Sequence, residues 1–157
     1  VGSEMCIRDS SVYAGLCAAE GADYVLIHDG ARPLVSADII KRSMQAVKEY
    51  RACVAGMPVK DTIKIADEDG YAKLTPERSK VWQIQTPQSF SYPLVYEAYR
   101  KMLADEDSAI TDDAMVVERM TNQPVKLIEG NYRNIKITTP EDMLIAEMYL
   151  KQGTSNI

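Results

Sequence analysis

The 157-residue chain has room for a single domain, and its composition is that of an ordinary globular protein. Hydrophobic residues make up 46% and charged residues 26%, which excludes collagen-like, low-complexity and strongly disordered chains. With 18 Lys and Arg against 23 Asp and Glu, the net charge of -5 excludes a generally basic surface for nucleic acid. No apolar run approaches the roughly 18 residues of a membrane helix. We therefore expect a soluble protein that acts on small molecules, with no nucleic-acid or membrane partner.

The cysteines indicate a reducing compartment. Cys6, Cys17 and Cys53 are odd in number and show no CxxC spacing, and His28 is the one histidine in the sequence. Neither a disulfide framework nor a zinc site is therefore predicted. A cytosolic protein fits these features best.

The first half of the chain alternates helical and strand patterns. Residues 1–10 show no periodicity and no apolar signal core, so we interpret them as a non-native leader. A helix is predicted over residues 11–20 and a strand, buried on both faces, over residues 24–27. A second helix, capped by Ser36, and a second buried strand should then occupy residues 37–50 and 52–59, with Ile40, Met44 and Val47 on the inner face of the helix. This order predicts a layered α/β fold with right-handed crossovers.

The pattern changes after Pro58 to the polar and apolar alternation of antiparallel strands, with a DEDG turn at residues 67–70. These strands are too polar for a central sheet, and a two-stranded ribbon is marginal alone. We therefore predict a β-arm over about residues 60–86 that lies against another surface. Beyond it, helices are predicted over 91–103, 111–120 (capped by Thr111) and 140–150 (capped by Thr139), and strands at PVKLIEG and NIKIT.

The motif HDGARP, residues 28–33, follows the first predicted strand, where open α/β sheets bind their ligands. Asp29 is suited to hold a divalent cation or a sugar hydroxyl, Gly30 lets a ligand approach the backbone, and Arg32 can grip a phosphate. An Asp-Gly turn with a surface arginine explains the same spacing equally well. We interpret His28 as a structural, hydrogen-bonded residue.

Other candidate groups are more ambiguous. The predicted arm carries four cations, Lys60, Lys64, Arg78 and Lys80. They either attract an anionic substrate or protect an exposed edge; edge protection is favoured for Lys80, and both remain open for Arg78. The polar run Gln83, Gln85, Thr86 and Gln88 is either exposed strand or aimed at a ligand. Lys136, in a strand otherwise built from Ile and Thr, points to solvent or to a site anion.

Five motifs occur together in the order and spacing of one enzyme family: HDGARP, PVKDTIK, VWQIQTPQSF, AITDDA and EGNYRNIKITTPEDMLIAE. Over residues 11–151 the chain resembles the 2-C-methyl-D-erythritol 4-phosphate cytidylyltransferases of non-mevalonate isoprenoid biosynthesis. The resemblance implies a Rossmann-like α/β sandwich of the nucleotide-diphospho-sugar transferase type, with a mostly parallel sheet and a projecting antiparallel β-arm. Family members also carry an N-terminal Gly-rich loop, AAGxGxRM, which this sequence lacks. We therefore expect residues 11–157 to be a partial, N-terminally truncated domain that is inactive alone.

The resemblance also implies a reaction. The phosphate of the polyol phosphate attacks the α-phosphorus of CTP, and pyrophosphate leaves. The implied cofactor is Mg²⁺, the implied assembly is a homodimer joined through the β-arm, and the implied location is a bacterial cytoplasm or a plant or algal plastid. Ribitol 5-phosphate cytidylyltransferases share the HD..RP and TPQ motifs but have an apolar residue where this chain has Lys64. That enzyme, another polyol phosphate cytidylyltransferase, and a non-catalytic α/β fragment are the alternatives.

Site residues follow from the resemblance, position by position. The nucleotide would be bound by Ser11, Asp29 and Gly30, and Asp29 would also hold the metal. The polyol phosphate would be bound by Asp29, Arg32, Thr62, Arg78, Thr86, Thr111 and Lys136. Arg78 and Lys136 would be catalytic, because they orient the phosphate for attack. Thr62 and Arg78 would come from the partner's arm.

Overall fold

The computed structural model describes residues 4–104 and 110–154. Its helices are α1 (Glu4–Ala18), α2 (Ala37–Tyr50), α3 (Tyr92–Leu103), α4 (Asp113–Thr121) and α5 (Pro140–Thr154). Its strands are β1 (Tyr24–Ile27), β2 (Ala52–Pro58), β3 (Ile65–Ala66), β4 (Ala72–Leu74), β5 (Trp82–Ser91) and β6 (Lys126–Glu129). A 3-10 turn, Arg78–Lys80, precedes β5.

The central sheet has the strand order β1-β5-β2-β6. β2 pairs in parallel with β6, whereas β1 and β2 each pair antiparallel with β5. β1, β2 and β6 therefore run in one direction and β5 runs against them. This mixed α/β arrangement, with most strands of the described sheet running the same way, confirms the predicted fold class.

Helices cover both faces of the sheet. Ala52 and Cys53 are adjacent in β2 and fully buried, but they belong to different apolar clusters. Ala52 packs in the larger cluster, which contains the inner faces of α3 and α4, whereas Cys53 packs with residues of α2. Side chains of successive strand residues point to opposite faces, so the helices form two layers with the sheet between them.

Helix α2 begins where the sequence predicted, because the Ser36 side chain accepts a hydrogen bond from the backbone N–H of Ile39. Its buried face differs from the prediction. The buried residues are Ile39, Ser43, Ala46 and Val47. Ile40 was expected inside and is 41% exposed, so the buried stripe is rotated by one position towards the helix start.

Strand β5 is the main correction to the fold. The segment VWQIQTP was predicted to belong to the exposed arm, but β5 lies inside the central sheet and pairs along both edges. The prediction was wrong because polarity was treated as a sign of exposure. The polar side chains Gln85, Thr86, Gln88 and Ser89 are buried. Polar groups are tolerated in a protein interior when they are hydrogen-bonded. The side chains of Gln85, Thr86 and Gln88 each form such a bond.

The arm forms a smaller ribbon than predicted. β3 and β4 pair antiparallel, with Ile65 opposite Leu74, and every residue of both strands is exposed. The predicted DEDG turn joins them: the Asp67 carboxylate accepts hydrogen bonds from the backbone N–H groups of Asp69 and Tyr71. Gly70 takes a φ of 84°, which favours glycine.

Four further predictions need correction. α1 begins at Glu4 rather than at residue 11. β1 is half-buried rather than buried on both faces. NIKIT forms an extended loop and no strand. The cap of α4 is Asp112 rather than Thr111, because the Asp112 carboxylate reaches the backbone N–H of Met115.

The interpretation of residues 1–10 as non-native stays a prediction, and residues 1–3 lie outside the described part of the chain. Among the helices described, none combines the length and the apolar character needed to cross a membrane.

Candidate functional site

A polar cavity of about 170 Å³ opens at one end of the central sheet. It lies beyond the carboxyl ends of β1 and β6 and beside the first half of β5, which runs the opposite way. The lining residues are Asp29, Arg32, Ile84, Gln85, Thr86, Gln88, Thr111, Asp112, Asp113 and Lys136. This is the end of an open α/β sheet at which ligands commonly bind.

Two cations converge on one carboxylate in this cavity. The Oδ2 atom of Asp29 lies 3.3 Å from Arg32 Nε and 3.3 Å from Lys136 Nζ. The Arg32 side chain is 13% exposed and the Lys136 side chain 49% exposed. The group therefore carries two positive charges and one negative charge, while Asp112 and Asp113 also border the cavity. An arginine held this way can grip an oxyanion with two parallel hydrogen bonds.

The HDGARP loop is held in place by hydrogen bonds at both ends. The backbone N–H of Asp29 donates to Thr86 Oγ1 over 3.0 Å, and Thr86 Oγ1 lies 2.8 Å from His28 Nδ1. The other ring nitrogen of His28 lies 3.0 Å from the Arg32 carbonyl oxygen. His28 thus joins the two ends of the loop that carries Asp29 and Arg32.

Lys136 reaches the same point from a distant part of the sequence. The loop after β6 runs back along HDGARP, and the backbone N–H of Ile137 donates to the Ala31 carbonyl over 2.8 Å. Arg32 Nη1 donates to the Asn134 carbonyl over 2.8 Å. These bonds fix Arg32 and Lys136 relative to each other although they are far apart in the chain.

The start of α4 forms the opposite wall. Gln88 accepts a hydrogen bond from the backbone N–H of Ala114 over 2.8 Å and donates to the Asp112 carboxylate over 3.1 Å. Asp113 is buried, and its carboxylate accepts a short hydrogen bond from the Tyr99 hydroxyl. Both acidic residues thus have structural partners while they border the cavity.

Five of the residues assigned from the sequence lie together in the cavity wall: Asp29, Arg32, Thr86, Thr111 and Lys136. Four do not line it. Ser11 lies in α1, and Gly30 lies in the loop between β1 and α2, with an exposed position. Thr62 and Arg78 lie on the arm side of the molecule, where Arg78 Nη1 donates to the Lys60 carbonyl over 3.3 Å.

Sequence reasoning missed four residues that organise this wall: Gln85, Gln88, Asn134 and Asp112. The two glutamines were noted as polar but were left between exposure and ligand binding. Asn134 was placed in a strand with no role. The sequence carried no clear signal for these roles, because the hydrogen-bond partners of the glutamines lie in distant segments of the chain.

The described residues contain no group of three or more His, Cys, Asp or Glu side chains arranged to hold a metal. Mg²⁺ commonly takes one or two carboxylates and completes its coordination with substrate phosphates and water. Asp29, a carboxylate at the cavity wall whose side chain is 29% exposed, fits that limited role.

The layered α/β fold and this polar cavity, in which Arg32 and Lys136 converge, define the chain as an α/β-sandwich protein with a site suited to a polar, anionic ligand. A family model described as 2-C-methyl-D-erythritol 4-phosphate cytidylyltransferase matches residues 2–152. The chain belongs to that family, which confirms the resemblance found in its motifs.

Individual curated relatives carry the same name as the family model. The chain is 52% identical over 145 residues to the 2-C-methyl-D-erythritol 4-phosphate cytidylyltransferase of Lachnospira eligens, covering 92% of this chain and 64% of that protein. It is 51% identical to the enzyme of the same name from Alkaliphilus oremlandii, covering 92% and 61%. The chain therefore spans less than two thirds of the length of these curated relatives.

Solved structures show the same likeness. The 4-diphosphocytidyl-2C-methyl-D-erythritol synthase of Anaerococcus prevotii aligns with a TM-score of 0.86 at 40% identity, covering 92% of this chain and 64% of that one. The 2-C-methyl-D-erythritol 4-phosphate cytidylyltransferase of Thermus thermophilus aligns with a TM-score of 0.81 at 35% identity, covering 92% and 69%.

Proposed function

We propose that this chain forms the polyol phosphate side of an enzyme that transfers the cytidylyl group of CTP to 2-C-methyl-D-erythritol 4-phosphate. The products are 4-diphosphocytidyl-2-C-methyl-D-erythritol and pyrophosphate. The observation that carries the proposal is the convergence of Arg32 and Lys136 on Asp29 in a cavity at the end of the sheet. Family membership supplies the substrate, and no relative described above carries the name of a ribitol phosphate enzyme.

The two converging cations, Arg32 and Lys136, suit a phosphate nucleophile. A phosphate monoester is already anionic near neutral pH, so the reaction needs no general base, and catalysis consists of positioning and charge neutralisation. Arg32 and Lys136 bind the incoming phosphate in exchange for part of their contact with Asp29. Before the phosphate arrives, the Asp29 carboxylate keeps the partly buried guanidinium paired, which limits the cost of desolvating it.

The remaining assigned residues complete the binding of both substrates. Thr86 and Thr111 contact the polyol phosphate from β5 and from the start of α4. Ser11, Gly30 and Asp29 contact the nucleotide. Asp29 would hold Mg²⁺, and the metal would supply positive charge beside the phosphates.

We place the protein in the cytoplasm as a homodimer whose arm crosses to the partner, where Thr62 and Arg78 complete the neighbour's cavity. The arm carries exposed apolar side chains, Ile63, Ile65, Tyr71 and Leu74, on a ribbon too small to be stable alone. Arg78 lies away from the cavity of its own chain. A second copy covers the apolar side chains and brings Arg78 to the phosphate.

Pyrophosphate release from CTP tests the proposal. Two proteins are compared: the 157-residue chain, and the same chain preceded by the N-terminal part of the Lachnospira eligens relative, which we call the extended protein. The extended protein should be active with 2-C-methyl-D-erythritol 4-phosphate and much less active with ribitol 5-phosphate. The chain alone should have negligible activity, because its sequence lacks the Gly-rich loop whose backbone N–H groups would hold the triphosphate. An extended protein that prefers ribitol 5-phosphate would contradict the assigned substrate.

Mixed dimers test whether the arm crosses. The Arg78→Ala and Lys136→Ala variants of the extended protein, each weakly active, are unfolded together and refolded. If a cavity uses its own Lys136 and the partner's arginine, half of the dimers regain one intact site, so about a quarter of wild-type activity returns. The Arg78→Ala/Lys136→Ala double variant, unfolded and refolded alone, is the control. No recovery on mixing would mean that both cations act within one chain or that the arm has no role.

A further inference from the structure

A buried polar cluster lies directly behind the two cavity cations. It joins β5 to the loop of residues 130–137, which leads from β6 to α5. Its members are Gln85, Gly130, Asn131 and Asn134, and we call it the amide cluster. Gln85 is 8% exposed and Asn134 is fully buried. Two buried amide side chains in one place cost free energy unless their groups are hydrogen-bonded.

Gln85 uses both ends of its amide to hold the loop. Its Nε2 donates to the Asn131 carbonyl over 2.8 Å. Its Oε1 accepts from the Asn131 backbone N–H and from Asn134 Nδ2, both over 3.3 Å. Asn134 Nδ2 also donates to the Thr86 carbonyl over 2.8 Å. The loop is therefore fixed to two successive residues of the central strand.

The same loop determines where the cations lie. The Asn134 carbonyl accepts the hydrogen bond from Arg32 Nη1, and Lys136 follows two residues later. Arg32 and Lys136 meet at Asp29 only if the loop keeps this path. The Asn134 side chain is thus connected, through its own backbone, to both groups that face the cavity.

We propose that Asn134, held by Gln85, is a positioning residue that sets Arg32 and Lys136 at the spacing needed to bind the phosphate of the polyol substrate. This inference rests on the proposed function. Asn134 touches no reacting atom; it acts through the two cations. A charge-assisted contact with an anion is worth roughly 10- to 100-fold in affinity, so displacing the two cations by loss of this amide should weaken phosphate binding although both cations remain present.

Gly130 provides an independent check on the amide cluster. A Cβ atom at this position would collide with Gln85 Oε1 and lie 3.3 Å from the Gly56 carbonyl oxygen. Gly130→Ala should therefore displace the Gln85 amide without removing a polar group. In a Gln85→Ala background the collision with Gln85 is gone and only the closer-than-usual contact with the Gly56 carbonyl remains, so adding Gly130→Ala should have a much smaller effect than it has in the wild-type protein. This coupling is specific to the cluster, because unrelated destabilising changes add.

The kinetic experiment compares Asn134→Ala, Gln85→Ala, Gly130→Ala and the Gln85→Ala/Gly130→Ala double variant in the extended protein. Each should raise KM for 2-C-methyl-D-erythritol 4-phosphate about 10- to 100-fold and leave KM for CTP within about twofold of wild type. Gln45→Ala, at an exposed glutamine of α2 that does not line the cavity, is the control and should change neither constant. Wild-type KM values for the polyol phosphate in Asn134→Ala, or a fall in kcat alone, would overturn the inference.

A second measurement does not depend on activity. In the 157-residue chain, the Nε–H proton of Arg32 is bonded to Asp29, so its NMR signal should be displaced from that of a solvated arginine. Asn134→Ala should move the signal back towards the solvated position, and Gln45→Ala should not. If the extended wild-type protein is inactive but this signal moves, the proposed function fails and the positioning role stands. An unmoved signal in folded Asn134→Ala overturns the positioning role whatever the activity.

Discussion

Strand β5 and the β-arm both contain polar and apolar residues, but most of β5 is buried and the strands of the β-arm are exposed. β5 contains Trp, Ile, Gln and Thr, the arm contains Tyr, Ile, Lys and Thr, and the two segments follow each other in the chain. β5 lies in the middle of the central sheet with buried polar side chains, whereas every residue of β3 and β4 is exposed. The difference lies in their partners. β5 has a strand on each edge, the amide cluster at one end and α4 at the other.

The polarity of a strand's residues does not determine whether the strand is exposed. A buried polar side chain is stable when its donors and acceptors are matched, and β5 satisfies Gln85, Thr86 and Gln88 in this way. On the arm, Lys64 donates to Thr75 over 2.7 Å, but both groups are exposed and water can replace either one. Equal substitutions should therefore have unequal effects in the two regions.

The largest difference is expected in catalysis. In the extended protein, Lys136→Ala and Arg78→Ala each remove a charge-assisted contact to the phosphate, so kcat/KM should fall roughly 10- to 1000-fold. Lys80→Ala, on the arm and 77% exposed, should leave kcat/KM and the melting temperature near wild type. Steady-state kinetics and thermal unfolding measure both. If Lys136→Ala and Arg78→Ala behaved like Lys80→Ala, their charges would serve solubility alone.

Stability should also separate the two regions. Gln88→Ala leaves the backbone N–H of Ala114 and the cap of α4 without their partner, which should lower the free energy of unfolding by about 2 to 3 kcal/mol. Glu68→Ala, in the exposed turn of the arm, should change it by less than about 0.5 kcal/mol. Urea denaturation of the 157-residue chain gives both values. Equal losses would contradict the contrast drawn between the regions.

Removal of the arm tests whether it is an assembly element. Replacing residues 66–80 by a short Gly-Ser linker should convert dimers to monomers and leave the circular dichroism of the helices unchanged, because the arm contributes no strand to the central sheet. Light scattering measures the mass. A dimer of unchanged mass would refute the role of the arm, and a loss of helical signal would show that the sheet depends on it.

The smallest effect concerns the anchor of the Lys136 loop. Backbone N–H groups of Thr138 and Thr139 donate to the Asp142 carboxylate and lower its pKa. A carboxyl group whose pKa is lowered by folding stabilises the folded protein at pH values above the ordinary carboxyl pKa. This stabilisation is lost as the pH falls through the lowered pKa. Asp142→Ala should therefore lower the melting temperature at pH 7 by about 2 to 4 °C and less near pH 3. An equal decrease at both pH values would contradict this charge dependence.

Much of the layered fold was predictable, because it depends on patterns that are local in sequence. Helix α2 and strand β1 have the predicted bounds, and Ser36 caps as expected. The position of β5 was not predictable from its own residues, since its partners Asn131 and Asp112 lie far along the chain. The motifs identified Asp29, Arg32 and Lys136. The supporting roles of Asn134 and Gln88 could not be predicted, because their hydrogen-bond partners lie in distant segments of the chain.

The order of strands in the central sheet also governs how the protein can fold during synthesis. Within this chain β1 and β2 precede β5 and do not pair with each other; each pairs with β5. These two ladders can therefore close only after Ser91 has left the ribosome, and the cavity forms only after the loop that carries Lys136 has been made. Until then the edges of β1 and β2 that face β5 are unpaired, a condition that favours association with other chains.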